Sequence, residues 1–414
     1  MEIHRNLLFA GIALGIAELL KFSAFLLYPM FFILIIARSF YDKKERGIGY
    51  FSAFFRNFGS LILISAISLA VVWLVYIPMV WSTPAEIEKQ VILNNLTNDS
   101  GTLVFRNFLY HFVGNPFSRA LGHFLLGVML VFGRVAGGNS TFILGHFSDK
   151  SISWFFPVAW LIKTPFIILF LTFVSVVYAF IRKIKKPTES WLVWVLIVPI
   201  VFYWGISIAG SLNIGTRHLI PTLPLLYLFI GLVFSKIINS KSLVSSICVI
   251  IVVISLATPI ILRYPNYLGY FNVFTTGTSG YKMMVDSSLD WGQDLKRLAK
   301  YLEDNKIKNP KIDYFGGGVP KYYIPDAVTW RSGFGPSSGW FAISATYYQM
   351  SKLQGKEGGK WSYDWLDDYK PIAVVGSSML IFHITPDDLI NNPPESPYPI
   401  TNYDIMTNDN NVVL

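Results

Sequence analysis

Long apolar runs constrain the fold of this chain more than any other feature. The hydrocarbon core of a bilayer is about 30 Å thick, and an α-helix of about 20 apolar residues crosses it. Runs of this order lie at residues 7–37, 61–81, 165–181, 191–209, 219–234 and 243–262. The sequence therefore predicts a polytopic α-helical membrane protein, with about seven spans within residues 1–262.

Composition and charge agree with this class. Hydrophobic residues make up 53% of the chain and charged residues 14%. A net charge of +9 would indicate a nucleic-acid partner in a soluble protein, but here Lys and Arg cluster between the apolar runs. Cytoplasmic loops of membrane proteins carry such an excess, so residues 38–60 and 182–186 are predicted to be cytoplasmic and a nucleic-acid partner is not expected. The single cysteine, Cys248, excludes an intrachain disulfide.

Two charges interrupt the first apolar run. Glu18 and Lys21 lie within residues 7–37, a stretch longer than one span needs. We interpret the run as two short helices that meet at this charged point, with both outer ends on the basic side. The alternative is one long tilted helix with a Glu18–Lys21 pair at spacing i,i+3.

Residues 82–163 are mixed in character, polar at first and then amphipathic. Apolar pieces that are too short to span favour interfacial helices in an extracytoplasmic loop. A further span at residues 121–132 is the alternative. His146 and Asp149 lie in this loop, where they either line an acceptor groove or are ordinary surface residues.

Arg217 and His218 lie between two apolar runs, at a predicted outer membrane surface. The alternation of spans places residues 213–218 on the side opposite the basic loops. An Arg at the mouth of an apolar helix is costly to bury, so it either reaches water or holds an anion. The alternative is an interfacial anchor that binds no ligand.

After residue 263 charged residues, Gly, Pro and Trp become frequent, which predicts a small extracytoplasmic α/β domain at residues 263–414. Leu295, Leu298 and Leu302 recur at helical spacing, strands are predicted at 311–315 and 339–346, and a hairpin at 372–375 with 379–384. The last thirty or so residues are expected to be loose.

Three aspartates at spacing four, Asp286, Asp290 and Asp294, precede the predicted helix. In one interpretation Asp290 caps a helix that begins near Trp291, and Asp294 favours its first turn. In the other, the carboxylates form an acid site or hold a divalent cation. Motifs of nucleotidases, metalloproteases, esterases and thiol-redox proteins are absent from the sequence.

Four stretches together resemble a known family. They are GIALGIAELLKFSAFLLYP (11–29), GGNSTFILGHFSDKSISWFFPVAWLIKTP (137–165), GTRHLIPTLP (215–224) and YPNYLGYFNVFTTGTSGYKMMVDSSLDWGQDL (264–295). They resemble the GT-C superfamily, specifically the family 39 bacterial relatives of protein O-mannosyltransferases and of the lipid A aminoarabinose transferase. The resemblance spans nearly the whole chain. It implies a plasma-membrane enzyme that transfers a sugar from a polyprenyl-phosphate carrier to an extracytoplasmic acceptor.

With such a donor, Lys21, Arg217 and His218 are the expected phosphate-binding residues, since cations at the outer ends of spans can neutralise the leaving phosphate. His146, Asp149, Asp286 and Asp290 are acceptor or structural candidates. The family bears its catalytic acidic residue in a first outer loop, and several spans follow before the stretch that resembles residues 11–29. Here that stretch begins ten residues after Met1.

The chain therefore resembles the carboxy-terminal part of such a transferase, and its catalytic residue stays unassigned. An upstream-encoded membrane subunit is an expected partner, together with membrane lipids and the lipid-linked donor. A non-catalytic membrane-anchored scaffold is the alternative function. A lipid-linked sugar transporter is a third hypothesis, but it would need polar residues along the spans, and few are found.

Overall fold

A computed structural model describes residues 2–96, 100–182, 187–238, 242–275, 277, 279–358 and 360–395. Within this part, six helices are long and apolar enough to cross a membrane: Phe22–Arg46, Tyr50–Val80, Pro116–Ala136, Trp191–Ala209, Thr216–Ile237 and Leu243–Arg263. Phe155–Lys163 and Phe166–Ile181 form a bent pair with an angle of 117° and would bring the count to seven. A mainly helical protein with several candidate spans is therefore the architecture.

The α-helices of the described residues, in chain order, are α1 (Glu2–Leu20), α2 (Leu27–Arg46), α3 (Tyr50–Val80), α4 (Ala85–Asn95), α5 (Ser100–Tyr110), α6 (Pro116–Ala136), α7 (Phe155–Lys163), α8 (Phe166–Arg182), α9 (Pro187–Ala209), α10 (Leu223–Ile237), α11 (Leu243–Arg263), α12 (Gly280–Met283), α13 (Leu295–Asp304), α14 (Pro320–Tyr323), α15 (Ala345–Gly358) and α16 (Pro386–Asn391). The strands are β1 (Thr141–Ile143), β2 (His146–Ser148), β3 (Lys311–Asp313), β4 (Val328–Thr329), β5 (Gly339–Ser344), β6 (Ala373–Val375) and β7 (Met379–Ile384).

The chain divides into two compact units. The first comprises Met1–Gly137, Val176–Ile206 and Thr222–Val233, and the second comprises Gly138–Ser175, Ser207–Pro221 and Phe234–Leu414. The predicted boundary near residue 262 separates a transmembrane region from an extracytoplasmic domain. The two compact units do not test that boundary, so it stays a prediction.

In the first unit, the predicted break in the first apolar run is confirmed. Helix α1 ends at Leu20, Lys21 is extended with φ −158° and ψ 120°, and a 3-10 helix follows at Phe22–Leu26. Buried Glu18 accepts a hydrogen bond from Ser68 Oγ of α3 at 2.6 Å. The alternative of one long helix is wrong, because the helical hydrogen bonding stops at Lys21.

Helices α1 and α3 pack closely at two glycines. A Cβ on Gly15 would lie 2.9 Å from the Ser68 carbonyl oxygen, and one on Gly11 would lie 3.0 Å from that of Ile64. Two glycines at spacing four let one helix backbone approach another, as in membrane helix pairs. The close approach brings Glu18 within reach of its partner Ser68.

The basic segment after α2 is organised around one buried carboxylate, that of Asp42. Arg56 Nη2 lies 2.7 Å from Asp42 Oδ2, and the Nε atoms of Arg38 and Arg46 lie 3.1 and 3.6 Å from Oδ1. A buried carboxylate is tolerated when cations surround it in this way. The second basic segment contains Lys183, Lys185 and Lys186, which lie outside the described residues.

Helix α6 differs from the short interfacial pieces expected in residues 82–163. It is 21 residues long, and its length and hydropathy favour the alternative of a further span. Arg119 and His123 are polar residues within this helix. Both lie beside buried Glu88, with Arg119 Nε at 3.0 Å and His123 Nε2 at 3.4 Å from Glu88 Oε1. The ion pair lowers the penalty of placing the Arg119 charge in an apolar helix.

The second unit contains a five-stranded sheet in the order β4-β3-β5-β7-β6. Strand β3 is parallel to β4 and β5, whereas β7 is antiparallel to β5 and β6. Helix α13 buries Leu295, Leu298 and Leu302 in the core that covers this sheet. The predicted helix, strands and hairpin of a small α/β region are confirmed. Residues 396–414, which include most of the stretch predicted to be loose, lie outside the described residues.

Candidate functional site

Arg217 and His218 lie in a 3-10 helix, Thr216–Thr222, that begins directly after Gly215. Gly215 has a φ of +93°, and a Cβ there would fall 2.5 Å from Ser287 Oγ and 2.8 Å from Ser288 Oγ. Only glycine fits such a close approach at positive φ. Thr216 N donates to Ser288 Oγ at 3.3 Å, so the segment before Arg217 is joined to the segment that carries the three aspartates.

The Arg217 side chain is exposed and makes few contacts. Its Nε donates to the Ile214 carbonyl at 3.2 Å, and its guanidinium carbon lies 4.4 Å from the centre of the Trp291 ring. No further hydrogen bond or ion pair of Arg217 is found in the described part of the chain. The cation–π contact orients the guanidinium while its terminal nitrogens can still donate to an anion.

His218 is packed beside Arg217. Its ring stacks on Phe156 of α7, with centroids 5.4 Å apart and planes at 29°. Lys21, the third predicted donor-binding residue, belongs to the first unit. Its side chain is exposed and has no ion pair among the described residues. Arg217 and His218, which are adjacent in sequence, lie in the second unit, and their role as donor-binding residues stays a prediction.

Lys163 is a residue that the sequence analysis missed. At the end of α7, its Nζ donates to the carbonyls of Leu268 at 2.8 Å and Ser288 at 2.7 Å, and lies 4.2 Å from the centre of the Phe271 ring. These contacts fix Ser288, which in turn receives the Thr216 N–H. Lys163 is thus a positioning residue for the Arg217 segment. The sequence did contain one indication of a special role, since Lys163 is a single lysine between an apolar run and the Thr164-Pro165 pair.

The three aspartates are used by the fold in different ways. Asp286 has a φ of +55° and accepts the Ser287 N–H at 2.6 Å. Buried Asp290 accepts the Thr346 N–H at 3.1 Å, and buried Asp294 accepts those of Ser377 and Ser378 at 2.8 and 3.1 Å.

The predicted cap at Asp290 is wrong. Helix α13 begins at Leu295, and even Asp294, which directly precedes it, makes no side-chain cap hydrogen bond. The carboxylates of Asp290 and Asp294 instead accept hydrogen bonds from main-chain N–H groups that are distant in sequence. No group of three or more His, Cys, Asp or Glu side chains that could hold a metal ion is found among the described residues, so a divalent cation gains no support.

Burial raises the pKa of Asp290 to about 6, although hydrogen bonds from Thr346, Gly292 and Ser378 oppose the shift. A carboxyl whose charged form loses water contact holds its proton more tightly. Asp290 therefore titrates at about pH 6 rather than in the usual range of a carboxyl.

His146 and Asp149 are both exposed, with His146 at the start of β2 and its ring edge-on to that of Trp154 at 5.3 Å. This position fits ordinary surface residues and an acceptor groove equally well.

Comparisons with protein-family models, curated proteins and solved structures find no match for this chain. The resemblance to GT-C glycosyltransferases therefore stays a prediction from motifs. Any functional inference depends on the residues and their geometry.

Proposed function

We propose that the chain is a membrane glycosyltransferase, or the carboxy-terminal part of one, that uses a polyprenyl-phosphate-linked sugar and an extracytoplasmic acceptor. One observation carries the proposal: the exposed Arg217 guanidinium lies over Trp291 at the start of the candidate span Thr216–Ile237. A lipid phosphate lies at the depth where such a helix enters the bilayer, with its tail beside the apolar surface. Charge and depth are therefore matched to this ligand.

Sugar transfer breaks the bond between the anomeric carbon and the phosphate oxygen and forms a bond from that carbon to the acceptor oxygen. Negative charge grows on the leaving phosphate, and a guanidinium placed there stabilises it. His218 is a second donor to that phosphate. The acceptor proton needs a base, for which no described residue is assigned.

By the positive-inside rule, the cytoplasmic side is that of residues 38–60. The proposal places Arg217 and the α/β region on the opposite side of the plasma membrane.

A non-catalytic scaffold, or a partner subunit of a split transferase, is a second candidate. It is favoured by the observation that the carboxylates near Trp291 already accept hydrogen bonds from other parts of the chain. Asp290 and Asp294 are buried and accept main-chain N–H groups, and Asp286 accepts that of Ser287. None of them is an evident general base. In this form the chain binds the lipid-linked donor, and another chain supplies the base.

Arg217→Ala is expected to weaken binding of undecaprenyl phosphate by on the order of 10- to 100-fold, because hydrogen bonds to a charged group each contribute roughly 1.5–3 kcal/mol. Titration of the purified chain in lipid nanodiscs, read by native mass spectrometry, measures this. Arg217→Lys should fall between the two, since lysine keeps the charge but not the planar fork. Ile220→Ala, an exposed neighbour in the same 3-10 helix, is the matched control. Equal affinity of Arg217→Ala and the unmodified chain would overturn the proposal.

A further inference from the structure

A cleft of about 560 Å³ lies beside the parallel strands of the second unit. Its lining includes Asp313 at the end of β3, Trp330 and Arg331 just after β4, Gly316 and Gly318, and Tyr347 of α15. In α/β sheets, ligands bind in the crevice outside the carboxyl ends of parallel strands. The volume is in the range of small-molecule sites.

Glycines fix one wall of this cleft. A Cβ on Gly316 would fall 2.4 Å from Tyr314 Oη and 2.8 Å from the Gly292 Cα. Tyr314 Oη also donates to the Gly292 carbonyl at 2.7 Å. The chain after β3 therefore lies directly on the turn that follows Trp291, and the cleft wall is held by the segment that supports Arg217.

The charged side chains that line the cleft are those of Asp313, Arg331 and Lys321. Asp313 Oδ2 accepts a hydrogen bond from Tyr363 Oη at 2.9 Å. Burial raises the pKa of Asp313 to about 6, while the Tyr363 hydrogen bond and the nearby Arg331 charge oppose the shift. A carboxylate accepts hydroxyl hydrogens and a guanidinium donates to hydroxyl oxygens. The carboxyl and the guanidinium together suit a ligand rich in hydroxyl groups.

Aromatic rings form a row from Arg217 to the cleft. Trp291 and Phe315 have centroids 5.6 Å apart, and Phe315 and Tyr347 have centroids 5.4 Å apart. Trp291 is 52% exposed and Tyr347 is 38% exposed. Rigid aromatic rings that are partly exposed to solvent offer contact area to a ligand at a low loss of conformational entropy. Such surfaces suit sugar rings, which present C–H faces and hydroxyl edges.

We infer that this cleft binds carbohydrate, with the hydroxyls of roughly one or two sugar rings on Asp313 and Arg331 and a ring face against Tyr347. The row of rings connects the cleft to Arg217, so bound carbohydrate is the acceptor, or part of it. Only this role as acceptor rests on the proposed function, whereas carbohydrate binding itself does not.

The test is binding of the full-length chain, purified in detergent, to an array of neutral, uronic-acid-bearing and phosphorylated oligosaccharides. We expect binding to neutral members, weakened on the order of tenfold by Tyr347→Ala and by Asp313→Asn, since each removes one contact group. Tyr322→Ala is the matched control, because Tyr322 is 80% exposed and is not among the residues that line the cleft. Asp304→Asn is the corresponding carboxylate control on α13.

Three results would overturn the inference. The first is that the chain binds no carbohydrate although its hydrogen-exchange protection shows that the sheet is folded. The second is carbohydrate binding that Tyr347→Ala and Asp313→Asn leave unchanged. The third is binding to phosphorylated members alone. Two affinities separate this inference from the proposed function. Tyr347→Ala should bind undecaprenyl phosphate as tightly as the unmodified chain does, and Arg217→Ala should bind carbohydrate as tightly as the unmodified chain does.

Discussion

Asp294→Ala is expected to destabilise the C-terminal sheet by roughly 3–5 kcal/mol, because each of several buried donors left without an acceptor costs about 1–3 kcal/mol. The Asp294 carboxylate is fully buried and accepts the N–H groups of Ser377 and Ser378 and the Ser378 hydroxyl at 2.9 Å. Arg297 also pairs with it. Alanine would leave these donors without a partner in the β6–β7 turn.

The measurement is hydrogen–deuterium exchange of the full chain in detergent, followed in peptides that cover β6 and β7. Exchange there should accelerate on the order of 100- to 5,000-fold when it is limited by local unfolding. Asp304→Ala on the same helix is the matched control. Its exposed pair with Lys300, at 3.1 Å, contributes no more than about 1 kcal/mol. Equal protection in the two variants would show that Asp294 does not hold the turn.

Asp290→Asn is expected to flatten the pH dependence of stability. Because the pKa of Asp290 is raised from 3.8 to about 6, the folded state binds this proton more tightly than the unfolded state does. The free energy of unfolding therefore falls as the pH rises from about 4 to about 6, by roughly 3 kcal/mol from this group, and is constant above that range. Asparagine cannot ionise, so the pH-dependent contribution of residue 290 to the free energy of unfolding is lost in the variant.

The readout is the difference in free energy of local unfolding between Asp290→Asn and the unmodified chain, measured by exchange at pH 4, 5, 6 and 7 in peptides around α13. That difference should grow in favour of the variant up to about pH 6 and then stay level. Asp313 titrates in both proteins, so its effect cancels. Asp304→Asn should reproduce the profile of the unmodified chain. A difference that does not change with pH would contradict the raised pKa.

Local sequence patterns were sufficient for much of the architecture. Apolar run lengths predicted most of the candidate spans, and the leucine spacing of α13 predicted the helix that covers the sheet. The charged point at Lys21 predicted the break in the first run. These features depend on residues close in sequence, whose effect on backbone conformation and burial is direct.

The partners of buried charges were not predictable in this way. Asp294 binds Ser377, which lies 83 residues away in sequence, and a local pattern suggested a helix end instead. Arg119 of α6 pairs with Glu88, which lies 31 residues earlier in the sequence. Lys163 and the cleft at Asp313 likewise depend on contacts between distant segments. A single sequence shows that a charge is present but not which distant group neutralises it.

The side of the membrane that Arg217 faces tests the central claim most directly. Cys248 is the only cysteine, so Cys248→Ala combined with Arg217→Cys leaves one site for a membrane-impermeant maleimide. Lys44→Cys in the same background is the control for the cytoplasmic side, because Lys44 is exposed in the basic segment at the end of α2. The account predicts labelling of Arg217→Cys in intact spheroplasts, and of Lys44→Cys only after they are opened. Labelling of Arg217→Cys only after opening would contradict it.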